Sequence, residues 1–137
     1  MAQAIATAFG AFYAPDDPLA RGSLAFHVAD NLLFAPVLES LILTGTIELL
    51  RWLRSPVSLQ LAGSAVVCAS LHAFVSIGLA LVVVPAWLIM SAAYLIWRRT
   101  SWKAGFVVVA SIHALLNLLT LISHLSYVLR DANQRCS

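Results

Sequence analysis

The stretch 104-AGFVVVASIHALLNLLTLISHLSYVL-129 is apolar almost throughout, yet it carries two histidines and an asparagine. It is longer than the roughly 20 apolar residues that an α-helix needs to cross a bilayer. Polar side chains are costly inside a membrane, so they usually face the interior of a helical bundle and have a function. The stretch therefore predicts a transmembrane helix that contributes polar groups to a bundle.

The composition of the whole chain also indicates a membrane protein. Of its 137 residues, 61% are hydrophobic and 10% are charged, and the mean hydropathy is +0.91. Soluble domains contain about 25% charged residues, so this chain lacks the polar surface of a soluble fold. The net charge of +2 is spread over short loops and the ends, which argues against a nucleic-acid partner. The placement of Cys68 and Cys136 predicts neither a disulfide framework nor a metal cluster.

Four apolar segments predict an all-α, polytopic transmembrane bundle embedded in a lipid bilayer. Each segment is long enough to span, and together they cover roughly residues 24–50, 57–76, 78–97 and 104–129. The N-terminal stretch MAQAIATAFGAFYA is too short to span and lacks the basic region of a signal peptide. The predicted organisation is an interfacial or partly ordered lead-in over 1–22, a transmembrane core over 23–130 and a polar tail over 131–137.

The two middle segments predict packing features. The second segment contains LAGSAVVCASLHA, whose small residues allow helix backbones to approach closely in lipid. The third segment carries no ionisable residue, and we interpret Trp87, Tyr94 and Trp97 as packing and interface anchors.

The charged loops predict the orientation of the bundle. Arg51 and Arg54 lie between the first two segments, and Arg98, Arg99 and Lys103 lie between the last two. With four spans, these two loops are on the same side of the membrane. The positive-inside rule then places both loops in the cytoplasm and both termini outside.

The fourth segment has one polar face. His113 and Asn117 are one helical turn apart, and Thr120, His124 and Tyr127 follow on the same face. We expect this stripe to face the bundle interior while the apolar face contacts lipid. The stripe continues toward the outer end of the segment, which indicates access for water from outside.

Polar residues from three segments are predicted to lie at one depth. Glu39 and His72 are the other ionisable residues deep in a span. Counted from the charged loops at about 1.5 Å per residue, Glu39, His72, His113 and Asn117 lie between roughly 14 and 22 Å from the cytoplasmic edge. This depth is near the middle of a hydrocarbon core about 30 Å thick.

These four side chains support several chemistries. A glutamate beside a histidine can hold a water and take its proton, and a histidine and an asparagine one turn apart can donate to an oxyanion. Two histidines and a glutamate could instead bind zinc. His72 and His113 could also be the two axial ligands of a haem. The residues alone do not choose among these chemistries.

The same residues, in this order, resemble the motifs of the CPBP family. This family of intramembrane proteases includes type II CAAX prenyl endopeptidases and bacteriocin-processing or immunity proteins, and its motifs are EExxxR, FxxxH and HxxxN. The matching stretches are 39-ESLILTG-45, 68-CASLH-72 and 113-HALLN-117. The resemblance covers about residues 32–120, with one helix between the second and third motifs.

The resemblance implies a glutamate-dependent intramembrane endopeptidase that needs no cofactor. Glu39, assisted by His72, would activate a water, and His113 and Asn117 would stabilise the oxyanion. A metal-dependent mechanism fits less well, because asparagine is a poor zinc ligand. The implied substrate is a membrane-anchored or lipid-modified protein or peptide, in a bacterial plasma membrane. The short bacterial members of the family suggest a role in protein sorting.

The chain departs from the family pattern at three positions. Ser40 replaces the second glutamate of the first motif, Thr44 replaces its arginine, and Cys68 replaces the phenylalanine of the second motif. The missing glutamate and arginine would form an i, i+4 ion pair, so losing both leaves no buried charge unpaired. The departures leave open a non-catalytic immunity or scaffold protein of the same family.

The first segment has polar residues at both ends and a proline in its interior. His27 and Asp30 either line the outer mouth of the bundle or belong to a solvated helix end. We interpret Glu48 and Arg51 as an i, i+3 surface pair. Pro36 is expected to kink the first helix and free backbone carbonyls near Glu39, or else to start a new helix.

Overall fold

The computed structural model describes residues 28–135, and its regular structure is helical throughout that range. This result confirms the predicted all-α class. The predicted lead-in over 1–22 and the side chain of His27 lie outside the described residues. In the described range the α-helices are α1 Ala35–Trp52, α2 Val57–Ala73, α3 Ile77–Trp97 and α4 Trp102–Arg135.

Three stretches of helix are long and apolar enough to cross a membrane, namely Asp30–Trp52, Ile77–Trp97 and Trp102–Ser123. Many large apolar side chains on these helices are exposed, as expected of surfaces that face lipid. The fold is therefore compatible with the predicted membrane protein. Helix α2 is also apolar but has only 17 residues, because it ends at Ala73 and not near 76. Its length is about 25 Å, slightly less than the thickness of a bilayer core.

A π-helical turn over Asp30–Phe34 leads directly into α1. The amide of Ala35 donates to the carbonyl of Asp30, which is the i+5 pattern of a π-helix. Pro36 follows in the first turn of α1, where its missing N–H is tolerated. An α-helix thus begins beside Pro36, as one expectation had it. The π-helical turn runs directly into this helix, so Pro36 also lies within the continuous helical stretch Asp30–Trp52, where its missing N–H deprives the preceding turn of a donor, as the other expectation had it.

Helices α2 and α3 pack through small residues, as the sequence predicts. The hydroxyls of Ser64 on α2 and Ser91 on α3 are 2.8 Å apart and buried, which requires a close approach of the two backbones. Trp87 and Tyr94 are buried in the core and are packing anchors as predicted, while Trp97 is half exposed.

Polar contacts join α1 to α3 at the charged end of the bundle. Oε1 of Glu48 accepts hydrogen bonds from the Tyr94 hydroxyl at 2.7 Å and from Nε of Arg98, and Oε2 accepts from Nη2 of Arg98 at 2.9 Å. We call Glu48, Tyr94 and Arg98 the Glu48 clamp. The predicted partner Arg51 is more distant, at 3.6 Å. The interpretation of Glu48 as half of a surface pair was therefore incomplete, because neighbouring α3 supplies its closest partners.

Helix α4 approaches α3 closely beside this clamp. A Cβ atom built on Gly105 would lie 2.8 Å from two ring carbons of Tyr94 and 3.2 Å from its carbonyl oxygen. Real Cβ atoms essentially never come within 3.0 Å of another residue, so a side chain at this position would displace the Tyr94 ring. Gly105 therefore allows α4 to pack against the ring that donates to Glu48.

Candidate functional site

The Glu39 carboxylate lies between two imidazoles from other helices. Its Oε2 atom is 3.8 Å from Nε2 of His72 on α2 and 3.7 Å from Nε2 of His113 on α4. We call these three residues the Glu39 site. The predicted convergence of polar groups from three segments is thus found in the structure.

The Glu39 site is largely enclosed but keeps polar atoms without partners. The side chain of His113 is 8% exposed, that of His72 19% and that of Glu39 24%. Oε2 of Glu39 and Nδ1 of His113 are buried and have no hydrogen-bond partner among the described residues. Buried polar atoms are nearly always hydrogen-bonded, and the exceptions call for an explanation such as a catalytic role.

One ring nitrogen of His72 contacts the backbone of its own helix. Nδ1 of His72 is 3.1 Å from the backbone carbonyl oxygen of Cys68, one turn earlier. A carbonyl oxygen can only accept, so Nδ1 carries the proton and donates. A neutral ring with this tautomer presents the lone pair of Nε2 toward Glu39 and can accept a hydrogen bond at the site.

His113 carries its proton on the other ring nitrogen, Nε2. Its Nδ1 atom faces no partner among the described residues, whereas its Nε2 atom faces the Glu39 oxygen. A neutral histidine carries its proton on the nitrogen that has an acceptor nearby. His113 is therefore a donor at Nε2, and the two imidazoles are not equivalent although their distances from Glu39 are similar.

Trp87 packs against both imidazoles. Its ring meets that of His113 edge-on with centroids 5.1 Å apart and that of His72 with centroids 6.0 Å apart. The sequence analysis treated Trp87 only as a packing anchor and missed this contact. The same count of depth could have found it, because Trp87 precedes Arg98 by about 16 Å of helix and so lies at the depth of His113.

Asn117 belongs to a neighbouring contact. Its Nδ2 atom donates to the backbone carbonyl of Asn31 at 2.8 Å, which ties α4 to the π-helical turn. In the i+5 pattern that carbonyl would receive the amide of residue 36, but Pro36 has no N–H. Asn117 therefore supplies a donor that the proline cannot. This hydrogen bond joins Asn117 to the backbone of the π-helical turn and not to the three residues of the Glu39 site.

The structure describes only part of the remaining polar stripe and of the predicted outer mouth. The Thr120 hydroxyl donates to the carbonyl of Leu116 in its own helix. Asp30 is exposed within the π-helical turn. The side chains of His124 and Tyr127 lie outside the described residues, so the predicted outer half of the stripe stays a prediction.

The three positions that depart from the CPBP motifs all face the core. Ser40 and Cys68 are fully buried, and Thr44 is nearly so. The Thr44 hydroxyl donates to the carbonyl of Leu41, which satisfies it within its own helix. These positions hold small or neutral side chains where the family motif has charged or aromatic ones, so the core here contains no additional charge.

The residues of the Glu39 site lie at different distances from the ends of their helices. Glu39 and His113 lie near the middle of the apolar stretches Asp30–Trp52 and Trp102–Ser123. His72 is the penultimate residue of α2, and the short turn to α3 follows at once, with Phe74 90% exposed. Counting residues from the charged loops placed all three near the middle of the membrane, and that depth stays a prediction. The earlier end of α2 places His72 closer to the end of its helix than expected, since the second segment was predicted to continue to about residue 76.

The arrangement favours some of the open chemistries over others. No group of three or more His, Cys, Asp or Glu side chains in the described range is arranged to hold a metal ion. Nε2 of both histidines faces the same glutamate oxygen, so the carboxylate lies where a haem shared by the two rings would need space. The geometry is instead that of an acceptor, a carboxylate and a donor around one point.

Comparisons with protein-family models, with curated proteins and with solved structures gave no match to this chain.

Proposed function

We propose that this chain is a glutamate-dependent intramembrane endopeptidase that resembles the CPBP family. The observation that carries the proposal is the position of Glu39 Oε2, 3.8 and 3.7 Å from the Nε2 atoms of His72 and His113. These distances are too long for direct hydrogen bonds, and the Glu39 side chain is 24% exposed, so the carboxylate can bind a water that reaches it from outside the core. Burial of a carboxylate and two imidazoles together is costly in a membrane, and catalysis is a reason to retain them.

In the proposed reaction the water donates one hydrogen to Glu39 and the other to Nε2 of His72. Glu39 takes its proton as the water oxygen attacks the carbonyl carbon of the scissile peptide bond. The carbonyl oxygen becomes an oxyanion and accepts from Nε2–H of His113. Glu39 then returns the proton to the leaving nitrogen as the carbon–nitrogen bond breaks, and the carboxylate is restored.

Asn117 has a secondary part in this proposal. One of its amide hydrogens goes to the Asn31 carbonyl, and the amide has a second one to give. That second hydrogen is the one an oxyanion could accept. The first contact positions the π-helical turn, and thereby the start of the helix that carries Glu39.

The proposed substrate is a membrane-anchored or lipid-modified protein segment. By the positive-inside rule the arginine-rich loops would be cytoplasmic and both termini outside. The resemblance implies a bacterial plasma membrane. His72 lies next to the uncharged end of α2, and the polar stripe of α4 is predicted to continue toward the same end, so water would reach the site from the outer side. Protein sorting is a process that uses such cleavage.

The proposal is tested by co-expressing the chain with a broad panel of membrane-anchored substrates drawn from its genomic neighbours. We expect processing by the wild type and none by Glu39→Gln, His72→Ala or His113→Ala at matched membrane levels. Glu48→Gln is the matched control, because it changes the other glutamate of α1 and should retain processing.

Several outcomes would replace the proposal with another. Full processing by Glu39→Gln would refute the assigned site. Loss of processing with a chelator, together with bound metal in the purified protein, would favour a metalloprotease that uses the same residues. A wild type that captures a membrane partner without cleaving it would favour the immunity or scaffold alternative.

A further inference from the structure

A cleft between α2 and α3 opens at the charged end of the bundle, far from the Glu39 site. Its volume is about 440 Å³. Apolar side chains of both helices line it, among them Val57, Leu61 and Leu95. The guanidinium-bearing residues Arg51, Arg98 and Arg99 line the same cleft. The cleft thus joins an apolar wall to a cluster of cations.

The charges at this cleft are not balanced by the residues around it. Of the three arginines that line it, Arg98 is bonded to Glu48 and Arg51 lies 3.6 Å from the same carboxylate. One carboxylate therefore faces two guanidinium groups. Arg99 is exposed and adds a third positive charge. The arginines that line the cleft exceed the nearby negative charge, which favours an anionic ligand.

Guanidinium groups bind phosphate strongly, because their N–H donors match its oxygens in charge and geometry. A free phosphate would not use the apolar wall of the cleft, whereas a phospholipid offers a phosphate and acyl chains together. Basic clefts between transmembrane helices on the cytoplasmic side are places where anionic lipid headgroups bind.

We propose that this cleft binds an anionic phospholipid, with its headgroup phosphate at Arg99, Arg98 and Arg51 and its acyl chains along α2 and α3. The lipid would bridge the last turn of α1, which carries Arg51, and the α3–α4 loop, which carries Arg98 and Arg99. The proposal does not depend on the protease function, because it involves none of the residues of the Glu39 site.

The test uses the purified full-length chain in a neutral detergent. Binding of dioleoylphosphatidylglycerol and of dioleoylphosphatidylcholine is measured by native mass spectrometry, with free glycerol 1-phosphate as a third ligand. We expect the wild type to bind phosphatidylglycerol more tightly than phosphatidylcholine and to bind the free phosphate weakly. Arg99→Gln should weaken phosphatidylglycerol binding about fivefold, as expected for one arginine near a charged headgroup.

Lys103→Gln is the matched control. It removes one exposed cation from the same end of the molecule, and Lys103 does not line the cleft. Its phosphatidylglycerol affinity should equal that of the wild type. If Arg99→Gln and Lys103→Gln lose the same phosphatidylglycerol affinity, the binding depends only on general surface charge, and the proposal is overturned. Equal binding of the two lipids by the wild type, or binding of glycerol 1-phosphate as tight as that of the lipid, would also overturn it.

Discussion

The two glutamates of α1 have opposite environments. Glu48 receives hydrogen bonds from Tyr94 at 2.7 Å and from Arg98 at 2.9 Å, so its carboxylate is satisfied by neighbouring side chains. Glu39 has two imidazoles at 3.7 and 3.8 Å, and its Oε2 atom has no hydrogen-bond partner among the described residues. The Glu48 carboxylate links α1 to neighbouring helix residues by hydrogen bonds. The Glu39 carboxylate lies close to two imidazoles without forming a hydrogen bond to either.

This difference separates structural from functional polar groups in a membrane bundle. A carboxylate with complete hydrogen bonds contributes to stability, and removing its partners is costly. A buried carboxylate with incomplete hydrogen bonds contributes little, and activity sites commonly sacrifice stability in this way. Glu39 and Glu48 should therefore respond in opposite ways to the same substitution.

The largest effect should separate His113 from Asn117 within the proposed site. His113→Ala removes the proposed oxyanion donor and should lower the cleavage rate about 100- to 1000-fold. Asn117→Ala removes a neutral hydrogen bond to the Asn31 carbonyl and should lower it only about tenfold. Cleavage rates of both variants, measured with the same substrate at matched membrane levels, test this order. A larger loss in Asn117→Ala would make the amide the principal oxyanion donor.

The next prediction concerns stability, for which Glu48 should matter and Glu39 should not. Glu48→Gln should lower the free energy of unfolding by about 1–1.5 kcal/mol, because it weakens hydrogen bonds to a charged acceptor whose side chain is 36% exposed and partly screened by solvent. Glu39→Gln should leave the unfolding free energy unchanged or raise it, since the carboxylate has incomplete hydrogen bonds. Unfolding in mixed detergent micelles measures both. Equal destabilisation by the two substitutions would mean that Glu39 is as structural as Glu48.

Gly105 sharpens the comparison by perturbing only the Glu48 clamp. Gly105→Ala places a methyl group 2.8 Å from the Tyr94 ring and should cost about 1–3 kcal/mol, as overpacking usually does. Gly45→Ala is the matched control, because a Cβ atom there meets nothing within 4 Å. It should be neutral or stabilise α1 by up to about 1 kcal/mol. The two variants are compared by the same unfolding measurement, and a destabilised Gly45→Ala would argue against the packing explanation.

The smallest effect isolates one donor of the Glu48 clamp. Tyr94→Phe keeps the buried ring and removes the hydroxyl that donates to Glu48. The Arg98 hydrogen bonds remain, so the expected loss of unfolding free energy is about 1 kcal/mol, with cleavage unchanged. A loss of cleavage at normal stability would show that the clamp influences the Glu39 site.

The sequence predicted the convergence of Glu39, His72 and His113 because ionisable residues are rare in apolar segments and helix length converts position into depth. The same reasoning did not predict the partner of Glu48. That partner depends on how α1 and α3 are rotated against each other, which residue counts do not determine. Only the local i, i+3 neighbour Arg51 could be proposed.

Two further features of the fold were not predicted in full, for different reasons. The π-helical turn before Pro36 was anticipated only as freed carbonyls, since its i+5 pattern is accompanied by a donor from Asn117 on α4. The end of α2 at Ala73 was missed because the residues that follow, including Phe74 and Val75, are as apolar as the helix itself. Apolar composition marks where a chain meets lipid, and it does not mark where a helix ends.

The central claim is that Glu39, and not Glu48, performs chemistry. The most direct measurement is the rate of substrate cleavage by purified Glu39→Gln and Glu48→Gln, reconstituted side by side at equal protein content. The account predicts a loss of at least about 100-fold for Glu39→Gln, the usual contribution of a general base, and near wild-type cleavage for folded Glu48→Gln. Cleavage by Glu39→Gln at the wild-type rate would contradict the account.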